Sequence, residues 1–179
     1  MKLDRREILK LAAGAALARP VLSGEAAAAA NGGRFFSAAE MALFDALSET
    51  ILPADEHSPG ARAAGVTAFV DAQLAQKDPK MPDWAEERKT ARDSLAALDG
   101  LCREMKGQGF ALASAADREA VLTKAAAGES DPKTPAEKAF KWVKGRTAYA
   151  YYTSKIGIHQ EMEYKGNSLQ VEYAGEEPK

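Results

Sequence analysis

Asp55-Glu56-His57 is a run of this 179-residue chain in which two carboxylates and an imidazole stand side by side. Such groups can hold a divalent cation or move a proton. Neighbours in one loop rarely converge on a single ion, and no second cluster completes a shell. A solvated connection between two helices is therefore the expected role. His159, beside Ile158 and ahead of Tyr164, is either a partner contact or a satisfied tail residue. Cys102 falls on an apolar helical stripe and is expected to be a buried small hydrophobe. Gly107-Gln108-Gly109 lacks the rest of a phosphate-binding fingerprint and follows no strand pattern. A Ser/His/Asp arrangement would need one of only two histidines between a nucleophile and an acid, and no spacing supports that. The sequence thus nominates no catalytic, cofactor-binding or metal residue.

Composition narrows the classes further. Lys and Arg number 24 against 26 Asp and Glu, a formal charge of −2, which argues against nucleic acid or an anionic membrane surface as the main partner. One cysteine and two histidines exclude an internal disulfide, all-cysteine iron–sulfur ligation, Cys2His2 zinc and haem attached through Cys-x-x-Cys-His. With 46% apolar and 28% charged residues the chain has the makeup of a globular protein.

The opening residues read as an address. Arg5-Arg6 is followed by Glu7-Ile8-Leu9-Lys10, then a short alanine-rich apolar stretch, Leu11 to Ala18, and a run of alanines from Ala26 to Ala30. A basic region, a weak apolar region and small residues at a cleavage point describe a secretory signal. The arginine pair with its polar–apolar–apolar–lysine sequel matches the twin-arginine pattern. We assign 1–30 as a twin-arginine signal peptide with cleavage near Ala28 or Ala30, and 31–179 as a single domain. Arg5 and Arg6 are its targeting residues. The alternative is an amphipathic N-terminal helix with a chance arginine pair. The twin-arginine route carries folded cargo, which is odd for a lone small helical protein and less odd if the signal also serves a bound partner.

The remainder reads as helices. Ser37-Ala38-Ala39-Glu40 is a capping box, with Leu43, Phe44, Leu47 and Ile51 on one face and Pro53 as the stop. Ser58-Pro59 reads as a cap and first-position proline for a second helix, interrupted near its start by Gly65, with Val66, Phe69, Val70 and Leu74 on its apolar face. Pro82 opens a third, with Trp84, Ala91, Leu95, Leu98, Cys102 and Met105 in register, ended by Gly107 or Gly109. Asp71, Glu86, Glu87 and Asp93 fall on polar faces. Ser114 caps a fourth helix to about Ala127, and Thr134-Pro135-Ala136-Glu137 starts a fifth, lined by Phe140, Val143, Thr147 and Tyr151. No helical period continues beyond Ser154. The expected fold is all-α: an orthogonal bundle of about five helices with an irregular, extended C-terminal arm from about 153.

Several of these stretches carry a resemblance. They are Leu47-Ser48-Glu49-Thr50-Ile51-Leu52-Pro53, Pro59-Gly60-Ala61-Arg62 through Gly65-Val66, Thr147 through Ile158, and Tyr164-Lys165-Gly166-Asn167. Together they resemble the gluconate 2-dehydrogenase subunit 3 family over about residues 37–174. The resemblance implies a non-catalytic small subunit of a periplasmic, FAD-dependent sugar or polyol dehydrogenase. In that family the large subunit is a glucose–methanol–choline-type flavoprotein that holds FAD and commonly lacks its own signal. The small subunit binds it when folded and takes it to the twin-arginine translocase. Many such complexes add a membrane-anchored multihaem cytochrome c. The family supplies no catalytic residues for this chain. The arm offers aromatic and aliphatic surface of the kind favoured at interface cores, so Tyr152, Ile156, Ile158 and Tyr164 are expected at the large-subunit contact. The alternative is a free-standing periplasmic helical binding protein, which would need a ligand pocket.

Overall fold

A computed structural model describes residues 33–164 and Gly166. Arg5, Arg6 and the rest of the expected signal lie outside the described residues. Among the described residues there are helices and turns but no strand: α1 (Ala38–Ile51), α2 (Gly60–Ala63), α3 (Val66–Ala75), α4 (Pro82–Lys106), a 3-10 turn (Phe110–Leu112), α5 (Ala115–Ala126), α6 (Pro135–Tyr152) and a π turn (Gly157–Glu161). None of these helices is long and apolar enough to cross a membrane.

Local chemistry sets most of the boundaries. The Ser37 hydroxyl accepts from the Glu40 N–H, and the Glu40 carboxylate accepts from the Ser37 N–H at 2.8 Å, closing the capping box of α1. Thr134 and Glu137 repeat the arrangement at α6, with Pro135 in the first turn where its missing N–H costs nothing. Ser114 caps α5 through the Asp117 N–H. Gly107, at φ 74°, ends α4 in the left-handed conformation that L side chains resist. Ser58 does not cap α2. Pro59 holds the cap position without a side-chain bond, while the Ser58 hydroxyl is buried and has no partner among the described residues. Gly65, at φ 71°, separates α2 from α3.

The core forms around α1, which packs against α2, α3, α4, α5, α6 and the 3-10 turn. Its Phe44 and Leu47 are fully buried. The most extensive helix pairing is between α4 and α6. The buried residues of these two helices include Ala91, Leu95, Leu98 and Cys102 of α4 and Ala139, Phe140, Val143 and Tyr151 of α6. Each buried Leu, Val or Phe contributes roughly 1.5–3 kcal/mol relative to exposure. Phe36 stacks on Phe44 with centroids 5.8 Å apart, and Trp142 meets Phe44 edge-on at 6.4 Å.

The entry segment ahead of α1 is clamped. Asp71 of α3, expected on a polar face, is instead buried, and its carboxylate accepts the N–H groups of Arg34, Phe35 and Phe36 at 2.7–2.9 Å. Gly33 is fitted to the same carboxylate, because a side chain there would overlap it. From the other side the Arg88 and Arg92 guanidiniums each lie 4.4 Å from the Phe35 ring centre. Arg92 also donates to the Phe35 carbonyl at 3.0 Å.

Two further expectations are corrected. Trp84 is 41% exposed, because the 25-residue α4 buries residues only from Ala91 onward and its first turns overshoot the core. The Lys77 ammonium lies over that ring, 5.7 Å from its centre. Residues beyond Ser154 are not wholly irregular: the chain turns back through the π turn, held by Ser154, whose hydroxyl accepts from the Gly157 N–H at 3.0 Å.

Candidate functional site

In the loop between α1 and α2, the Asp55 carboxylate accepts from the His57 N–H at 2.8 Å and the Ser58 N–H at 2.7 Å. The His57 bond first, then that of Ser58, holds the Asp55 carboxyl below its usual pKa. The loop is closed onto α1 by the Ala61 N–H, which donates to the Leu52 carbonyl at 2.9 Å. Asp55 is therefore engaged by backbone, and the sequence cluster is a turn. No group of three His, Cys, Asp or Glu able to hold a metal stands among the described residues.

Cys102 is fully buried, and burial first, then the nearby Asp99 carboxylate, pushes its thiol up from the ordinary range. Gly107 and Gly109 serve the end of α4, where the Asp99 carboxylate receives the Phe110 N–H at 2.8 Å. This segment closes the end of α4. A groove of about 460 Å³ lies between α4, α5 and the start of α6, with Leu101 and Ala125 among its apolar residues and Glu104, Lys124 and Glu137 among its charged ones.

The four residues expected at a partner contact are spread over the end of α6 and the arm. Tyr152 is 40% exposed and Tyr164 50%, whereas Ile156 and Ile158 are half-buried and Ile156 packs on the core. The Tyr164 N–H donates to the Ile158 carbonyl at 3.0 Å, bringing those two together. His159 is exposed on the π turn, its Nδ1 3.3 Å from the Tyr164 carbonyl. Gly157 is buried against the Tyr151 carbonyl, which ties the turn to α6. The Tyr151 hydroxyl is buried without a partner among the described residues, and burial, then the Glu161 carboxylate, raises its pKa.

Sequence reasoning missed two members of this surface. Phe69, read as part of a buried face, is 42% exposed, and Tyr149 is 52% exposed. Their rings meet across α3 and α6 with centroids 6.2 Å apart. The available signal was the spacing Tyr149 to Tyr152, which puts both on one side of a helix.

A family model described as gluconate 2-dehydrogenase subunit 3 matches residues 38–168. No curated protein and no solved structure matches.

Proposed function

Because the chain belongs to the gluconate 2-dehydrogenase subunit 3 family, as a match over residues 38–168 shows, we propose that it is the non-catalytic small subunit of a bacterial FAD-dependent dehydrogenase acting on a sugar or polyol. Membership makes it a subunit of a dehydrogenase complex. The finer reading assigns FAD and substrate chemistry to a larger, glucose–methanol–choline-type flavoprotein. This chain stabilises that subunit and escorts it, folded, to the periplasm.

The family match carries the reading, and the exposed tyrosines of α6 and the arm support it. Large apolar groups left in water on a small subunit are the groups an interface core uses. The leader pattern around Arg5-Arg6 supports the escort role, since one exported subunit can serve two polypeptides. Electrons taken from the substrate would pass onward from the flavoprotein, in some assemblies to a multihaem cytochrome c subunit.

The test is an affinity purification of the tagged chain from its native periplasm, with an absorbance spectrum of the eluate. A flavin band, a second and larger polypeptide, and sugar-dependent dye reduction are the expected result. A colourless single polypeptide would overturn the reading in favour of a free-standing binding protein. Replacing Arg5 and Arg6 together by Lys should strand both polypeptides in the cytoplasm. Export of the pair despite that change would remove the escort role alone.

A further inference from the structure

The buried residues of α6 are Ala139, Phe140, Val143, Thr147, Ala150 and Tyr151. Opposite them runs an exposed row: Lys138, Lys141, Gly145, Tyr149 and Tyr152. At 100° per residue these five fall within an arc of about 80°, and the row is roughly 21 Å long. A helix face turned fully from the core is ordinarily polar along its length. This one is cationic at its amino end and aromatic at its carboxyl end, where Phe69 of α3 widens it.

Gly145 sits between the two halves. A glycine in a helix interior is disfavoured relative to alanine. Nothing in the fold requires it: a side chain there would meet no atom within 4 Å. A position that forgoes a side chain without local crowding suits close approach by something outside the chain. The lysines point the same way. Lys144 is engaged by Glu129 at 2.7 Å, but Lys138 and Lys141 form no ion pair among the described residues.

We propose that this stripe, Lys138 through Gly145 to Tyr152 with Phe69 beside it, is the seat of the larger dehydrogenase subunit, which sets carboxylates against the lysines and an apolar segment against Gly145 and the tyrosines. The inference rests on the subunit reading above and deepens it by placing the contact on α6 as well as the arm. The two lysines that form no ion pair among the described residues define the charge the partner must carry, and the bare helix surface at Gly145 defines where it comes closest. Tyr152 belongs to both the stripe and the arm residues, so the two form one continuous surface.

The experiment uses the full chain, labelled, titrated with the larger subunit isolated from the wild-type complex. Gly145→Leu and Tyr149→Ala should each weaken binding by about tenfold or more, and Lys141→Glu should weaken it most at low salt. Gly145→Leu should also raise the melting temperature, because leucine is the better helix former, so lost binding cannot be ascribed to lost folding. Gly100→Leu, on the groove side of α4, serves as the control and should leave affinity within about twofold. Unchanged affinity in Gly145→Leu and Lys141→Glu would overturn the placement while leaving the subunit reading intact. A wild-type chain that binds no larger subunit would overturn both. A dimer of this chain abolished by Gly145→Leu would assign the stripe to self-association and overturn the proposal.

Discussion

The Tyr151 carbonyl oxygen occupies the space where a side chain on Gly157 would begin. The last turn of α6 and the π turn are thus in backbone contact, and only glycine permits it. The half-buried Ile156 and Ile158 lie to either side of this contact, so the shape of the arm depends on it.

Gly157→Ala should therefore free the arm without unfolding the bundle. Hydrogen exchange at residues 155–164 should rise, while protection in α1 and α4 stays near the wild-type level. Unchanged protection in the arm would show that the close approach is dispensable.

Asp71→Ala should be severely destabilising. It leaves the Arg34, Phe35 and Phe36 N–H groups without their acceptor, two of them in buried bonds. Losing an acceptor for buried donors costs about 1–3 kcal/mol each, so a loss of about 3 kcal/mol or more is expected. Urea unfolding reads it as a lower midpoint at unchanged slope. A shift below about 1 kcal/mol would mean that water replaces the carboxylate.

The cap of α6 predicts a pH dependence. Glu137 accepts from the Thr134 N–H at 2.9 Å and the Lys133 N–H at 2.7 Å, and these bonds hold its carboxyl below the ordinary value of 4.5. The folded-state pKa lies below the unfolded one. The resulting stability is full above pH 4.5 and is lost as pH falls through the lower, folded value. Glu137→Gln should lower the melting temperature at pH 7 and make the decline between pH 5 and 3 shallower. Parallel curves for the variant and wild type would refute the assignment.

Cys102 should be inert in the folded protein. Its thiol is fully buried and shifted toward the protonated form. Reaction with an aromatic disulfide reagent should proceed at the rate of unfolding and become immediate in denaturant. Rapid modification of the native chain would require an opening near the α4–α5 contact.

What the sequence disclosed depended on the range of the interaction. The Ser37–Glu40 and Thr134–Glu137 caps are complete within four residues, so their residue types alone mark the starts of α1 and α6. Gly107 marks the end of α4 in the same way. Asp71 was misjudged because its donors lie 35–37 residues away, and a polar residue on a helix carries no mark of what will come to meet it. Phe69 and Trp84 kept the apolar period of their helices yet stay exposed, because the period says which side is apolar and not how far the neighbouring helix extends. Of the candidate surface, Tyr152 was legible as an aromatic where the last helical period runs out, and Tyr164 as one in the tail beyond it. Tyr149 needed α3 beside it and the buried face of α6 behind it before its position meant anything.

The clamp around Phe35 has a mechanical consequence. The Asp71 bonds run from Arg34 to Phe36, directly ahead of α1. Any tug on the polypeptide ahead of Gly33 is met first by a carboxylate in α3 and by two arginine side chains in α4, before it reaches α1. The load is thus divided between α3 and α4 before α1 takes it up.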